Sequence, residues 1–257
     1  MTHAHSDFPD GVAVVFGGSG GVGSAICTEL ARAGADIALS YHQNLAAAER
    51  TADDVRDLGQ RASIHPISLA NPDSIGTFLA QVSSQYDTIH TVVCAAGPNL
   101  LQPRIIDVTA KQLNDTVIAD IQGTFHIVQS ALPHLRRSRG SLVCLSSAGV
   151  HRYPPGDILS VAPKAAIEAL VRGVAREEGR HGVRANAVAL GVIDAGQFHR
   201  LQGATFSKQW EDAAKKNTAL KRFGTATEVA ETVVFLASTR SSYLTGQTLM
   251  VDGGYSL

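Results

Sequence analysis

Short apolar runs alternate with longer stretches of helical period along almost all 257 residues, and this alternation limits the possible folds more than any other feature. Residues 12–16, 36–41, 62–67, 89–95, 141–146, 184–190 and 248–251 read as strands. Residues 24–33, 45–58, 73–84, 110–136, 160–178 and 227–237 read as helices. A strand that is followed by a helix and then by another strand must run parallel to its neighbour, with a right-handed crossover. The strand runs lack the alternation of a half-exposed sheet, so both faces are expected to be covered. The expectation is an α/β fold with a doubly wound parallel sheet. At this length it can be one domain spanning 1–257, and no repeat or linker argues for a division.

Bulk properties exclude several classes of function. Twenty-two Lys and Arg against 23 Asp and Glu give a net charge of −1, which disfavours nucleic acid or an anionic membrane as partner. No apolar run approaches the length of a membrane span. The opening residues lack the basic-then-apolar pattern of a secretory signal. Cys27, Cys94 and Cys144 are odd in number and apolar in context, so buried reduced thiols and a cytoplasmic location are expected. His3 and His5 lie near the terminus and the other histidines do not cluster, so no metal site is expected.

The first strand runs directly into Gly17-Gly18-Ser19-Gly20-Gly21-Val22-Gly23 and then a helix. Glycines let backbone approach a pyrophosphate closely, and the helix N-terminus behind them favours negative charge. This strand–turn–helix context makes the loop a dinucleotide site of the Rossmann type. An acid at the end of the second strand would hold a free ribose and select NAD(H). None is present in Ser40-Tyr41-His42-Gln43-Asn44. Ser40, His42 and Asn44 are instead suited to a 2′-phosphate, so NADP(H) is favoured over NAD(H), although no arginine stands obviously nearby.

Farther on, the strand ending at Ser147 is followed by a helix that opens Ser160-Val161-Ala162-Pro163-Lys164. The chain closes with Arg222-Phe223-Gly224, Glu228-Val229-Ala230, Phe235-Leu236-Ala237-Ser238, Thr245-Gly246-Gln247 and Val251-Asp252-Gly253-Gly254. Together with Gly17, Gly21 and Gly23, these segments resemble the short-chain dehydrogenase/reductase family from about Gly11 to Gly254. The resemblance implies a cofactor held by Gly17, Ser19, Gly21, Val22, Gly23, Tyr41, His42, Ser68, Leu69, Ala96, Gly97, Lys164, Gly191 and Ile193. It also implies a homotetramer or homodimer acting on a small molecule.

Several positions depart from that pattern. The family's Tyr-x-x-x-Lys has Ser160 in place of tyrosine, and its catalytic asparagine is Asp120 here. Its Asn-Asn-Ala-Gly reads Cys94-Ala95-Ala96-Gly97, its Pro-Gly reads Leu190-Gly191, and a threonine beside the carboxamide is Ala195. Most of these changes surround the nicotinamide end. Lys164 and Ser147 remain to hold ribose hydroxyls and a substrate oxygen, but serine is a much weaker acid than tyrosine. Tyr153, Asp157 and Asp120 are the candidates to supply the proton. Asp157 stands seven residues before Lys164, where the enoyl-reductase branch places its tyrosine, and some dienoyl-CoA reductases carry serine four residues before the lysine. Residues 192–224, which contain Phe198, Phe206 and the lone Trp210, follow a strand end and are expected to form a substrate lid. The leading expectation is an NADP(H)-dependent oxidoreductase acting on a carbonyl or activated double bond. A non-redox lyase using Asp120 or Asp157, and a catalytically silent cofactor-binding subunit, stay open as alternatives.

Overall fold

Val12–Phe16 holds five successive buried side chains, which a strand can do only when helices cover both faces. In the computed structural model, which describes residues 7–98, 100–203 and 205–257, this segment is β1, near the middle of a seven-stranded sheet. His3 and His5 lie outside the described residues. The other strands are β2 (Asp36–Tyr41), β3 (Ala62–Pro66), β4 (Ile89–Cys94), β5 (Ser141–Ser147), β6 (Arg184–Leu190) and β7 (Thr248–Val251). Their order is β3-β2-β1-β4-β5-β6-β7 and every pairing is parallel. The winding direction reverses between β1 and β4, and such switch points open a crevice at the carboxyl ends of the strands.

Helices α1 (Gly21–Arg32), α2 (Leu45–Asp57) and α9 (Ala226–Ala237) pack on the face that receives Ala13 and Val15. Helices α3 (Pro72–Tyr86), α5 (Gly123–Ser138) and α6 (Ile158–Glu178) cover the face that receives Val12, Val14 and Phe16. Arg184 fixes the end of α9 by donating to the carbonyls of Leu236, Ala237 and Ser238. Those are the orphan acceptors of a helix terminus. No helix among the described residues is long and apolar enough to cross a membrane.

Two segments differ from the sequence expectation. Residues 110–136 are not one helix: α4 (Ala110–Thr116) passes into a π-helical turn, Val117–Gln122, before α5 begins. A π turn is a local rewinding, often at functional sites, and leaves little trace in hydrophobic periodicity. Residues 192–224 are also more ordered than their polarity suggests. They include α7 (Gln197–Leu201) and α8 (Lys208–Lys216), with Ala204 outside the described residues. Phe198, Leu201, Phe206 and Phe223 form a small separate core, and Trp210 stacks on Phe206 with centroids 3.8 Å apart. The aromatics thus satisfy one another. Both ends of the segment are joined, because Asp194 N–H donates to Gly224 O and Gly224 N–H donates to Val192 O.

Candidate active site

Parallel strands deliver their carboxyl ends to one edge, and the residues singled out from the sequence gather there. Gly17 follows β1, Tyr41 ends β2 and His42 follows it, and Ser68 and Leu69 follow β3. Ala96 and Gly97 follow β4, Ser147 ends β5, and Gly191 and Ile193 follow β6.

The glycine loop is shaped by contact. Gly17 has φ +85°, and a Cβ on it would stand 2.6 Å from the backbone of Ala96. A Cβ on Gly23 would reach within 2.1 Å of Gly17 O, so helix α1 can start this close to β1 only with glycine there. Helix α1 begins with Gly20 at its N-cap, without a side-chain cap and without an acid in its first turn. The N–H groups at Gly21, Val22 and Gly23 are therefore presented as a helix terminus suited to an anion such as a pyrophosphate. These residues fit a dinucleotide.

The expectation for Ser40 is corrected. Ser40 is 3% exposed, and its Oγ accepts from Gly17 N–H at 3.1 Å, so it braces the glycine turn from below. Asn44 uses its side-chain oxygen to cap α2 through Ala47 N–H at 3.0 Å. Of the three polar groups proposed for a phosphate, His42 is the one left exposed and uncommitted among the described residues. Tyr41 packs against the core, and its carbonyl accepts from Ile67 N–H. Ser68 contributes its carbonyl to Asn71 N–H and Ser74 Oγ, and Leu69 presses on Gly123. Ile193 is buried, with its backbone bridged to Gly224. Gly191 N–H donates to Val251 O.

At the other end of the edge, Lys164 Nζ donates to Asp120 Oδ1 at 2.9 Å, close to Gly97. Asp120 is 1% exposed and is turned inward by the π-helical segment. Its Oδ2 has no hydrogen-bond donor among the described residues. Such an atom is costly unless a bound hydroxyl or water completes it. Ser147 Oγ accepts from Gly149 N–H at 3.1 Å.

Asp157, Ser160 and Lys164 fall on one face of α6 by helical spacing. Asp157 precedes the first turn, but its side chain does not cap the helix. It accepts instead from Gln102 Nε2 at 3.1 Å, across from the loop after β4. Burial pushes its carboxyl up to about 6, and the Gln102 hydrogen bond opposes this only in part. Tyr153 is 43% exposed.

Other groups at this edge are not marked by any sequence motif. Buried Glu168 receives Ser146 Oγ at 2.6 Å, and His151 Nε2 lies 3.2 Å from the same oxygen. Its signal is an acid four residues after Lys164 in an apolar stretch. Arg152 donates to Tyr255 O at 2.6 Å, and its guanidinium sits 4.9 Å from the centre of that ring. Burial pushes the Tyr255 phenol up and the nearby Asp157 charge adds to this against the opposing pull of Arg152, so the C-terminal segment borders the same cluster. No sequence signal points to that pairing. Cys94 and Cys144 are register partners on β4 and β5; the Cys144 contact and burial both push the Cys94 thiol up, which suits inert thiols.

Known proteins resemble this chain in sequence and in fold. The family described as enoyl-(acyl carrier protein) reductase matches residues 17–256. The 3-oxoacyl-(acyl carrier protein) reductase of Staphylococcus epidermidis is 31% identical over 246 residues, which cover 94% of this chain and 97% of that one. A short-chain dehydrogenase/reductase structure from Serratia marcescens superposes with a TM-score of 0.90 at 27% identity, covering 98% of this chain and 100% of the other. A short-chain dehydrogenase from Burkholderia cenocepacia, solved in complex with NADP, gives 0.88 at 27% identity, covering 96% and 98%.

Proposed function

The chain belongs to the short-chain dehydrogenase/reductase family, and from that premise we propose that it is an NADP(H)-dependent oxidoreductase that reduces a carbonyl or activated double bond of a small molecule. The observation that carries this reading is the Lys164–Asp120 pair beside Gly97, on the same strand edge as the uncapped N-terminus of α1. An anion-binding turn and a half-buried cation on one strand edge suit an extended dinucleotide. When bound, the nicotinamide supplies a hydride to the acceptor carbon.

The residues of this chain would then do the following. Gly21, Val22 and Gly23 offer N–H groups to the pyrophosphate. Lys164, aimed by Asp120, donates to the ribose hydroxyls, and a hydroxyl there completes Asp120 Oδ2. Ser147 donates to the substrate oxygen. Asp157 supplies the proton, with Ser160 between it and Lys164 on the same helix face. Asp120 is poorly suited to that role because it is engaged by an ammonium, whereas the hydrogen-bond donor to Asp157 among the described residues is the neutral amide of Gln102. Tyr153 lacks a partner among the described residues that would activate it. Residues 192–224 serve as a lid whose aromatic core lets it move as a unit. A homotetramer or homodimer is the working assembly.

The test is a titration with NADPH and NADH followed by turnover of a panel of ketones and enoyl thioesters. Micromolar NADPH binding with turnover is expected. No affinity for either cofactor refutes the reading. Binding without turnover supports a cofactor-binding subunit, and activity that survives removal of cofactor supports the lyase alternative.

A further inference from the structure

Between the glycine turn and the middle of α2 lies a cleft of ≈ 360 Å³, bordered by Ser19, Gly20, Gly21, Arg50, Asp53 and Asp54. Arg50 is exposed on α2, and among the described residues it makes no hydrogen bond or ion pair. Arg56, farther along the same helix, is by contrast spent on Asp53 at 2.8 Å. Ser40 and Asn44 have other duties, so the end of β2 offers a phosphate little beyond His42. Gly20 has no side chain to fill the space facing Arg50, and α2 has no acid in its first turn. A guanidinium in such a position can meet phosphate oxygens in a fork, with short charge-assisted hydrogen bonds.

We propose that Arg50 is the cation that receives the phosphomonoester on the adenosine ribose and thereby selects NADP(H) over NAD(H). This rests on the reading of the chain as a dinucleotide enzyme. Asp54 borders the same cleft and opposes the phosphate, while the charge of Asp53 is offset by Arg56.

Calorimetric titration tests the assignment without relying on turnover. The probes are adenosine 2′,5′-bisphosphate, 5′-AMP, NADP+ and NAD+, applied to the wild type, Arg50→Met, Arg50→Lys and Asp54→Asn. The wild type should prefer the bisphosphate to 5′-AMP. Arg50→Met should weaken the bisphosphate and NADP+ by about 10–100-fold, the loss of a charged hydrogen-bonding partner, while 5′-AMP and NAD+ are unchanged. Arg50→Lys should fall between, and Asp54→Asn should tighten the bisphosphate. Equal weakening of all four ligands, or no change for the bisphosphate, would overturn the assignment. If the wild type binds neither NADP+ nor NAD+, the dinucleotide reading falls with it. If NADP+ is preferred and Arg50→Met leaves that preference intact, Arg50 alone is wrong.

Discussion

Replacing Asp157 with asparagine keeps the size of the side chain and an oxygen for Gln102 Nε2, but removes the ionisable group. In the folded chain burial lifts this carboxyl from 3.8 to about 6. A carboxyl raised in this way binds its proton more tightly in the folded state than in the unfolded one. Its contribution is therefore fully present below the unfolded value and is lost as pH rises through the folded value. The shift is roughly two units, so ionising Asp157 at neutral pH costs up to about 3 kcal/mol, and about 1–3 kcal/mol after allowance for solvent at this half-buried carboxyl. A neutral amide at this position avoids that cost. Asp157→Asn should match the wild type at about pH 4 and become more stable by about 1–3 kcal/mol at about pH 8, with the gain developing between these values. Urea unfolding of both proteins at several pH values measures the difference directly. Thermal scans should show a rise of roughly 2–4 °C per kcal/mol for a chain of this size. The same variant should lose reductase turnover, so that stability and activity move in opposite directions, as at a site strained for function. A variant less stable at pH 8, or a stability difference that does not vary with pH, would refute the reasoning about burial.

Three other perturbations probe different parts of the site. Lys164→Met strands the Asp120 carboxylate and should cost about 3–5 kcal/mol, most of it recovered on adding Asp120→Asn; a denaturation double-mutant cycle reads the coupling, and simple additivity would show that the pair is independent. Ser40→Ala takes the acceptor from Gly17 N–H and should cost about 1–3 kcal/mol, weakening NADP+ and NAD+ together; calorimetry that shows loss of NADP+ alone would mean that Ser40 touches the phosphate after all. Phe206→Ala removes the ring stacked on Trp210, so the emission of this lone tryptophan should shift to the red. Hydrogen exchange should then rise across 192–224 while the strands keep their protection, as expected for a separately cored unit.

The sheet is readable because its signal is local and strong. A run such as 12–16 or 184–190, apolar throughout, must be covered on both faces, and strand-then-helix order leaves few topologies. What escapes a reading of the sequence obeys no simple period. The π-helical turn at Val117–Gln122 has no proline and no break in polarity, yet it turns Asp120 into the protein toward Lys164. Residues 192–224 look irregular because their four core positions, Phe198, Leu201, Phe206 and Phe223, are spaced by a fold of their own. As letters, their aromatics look available to substrate; in the fold they pack on one another.

At the site, sequence motifs locate the edge but not the partners along it. Gly17, Ser147 and Lys164 can be assigned to one crevice because parallel strands bring their ends together. Pairings between loops cannot, since Gln102 and Asp157 are 55 positions apart and Arg152 and Tyr255 are 103. The consequence is chemical. Asp120 and Asp157 are equivalent when read as letters near a missing tyrosine, and either could be assigned the proton. In the folded chain an ammonium engages one and a neutral amide the other. Carboxyls in unlike environments can divide into anchor and acid, and the roles proposed for Asp120 and Asp157 rest on what each one faces. Ser160 then has no need to replace the tyrosine as an acid. In the proposed mechanism it needs only to leave room for a proton that starts at Asp157, one helical turn earlier.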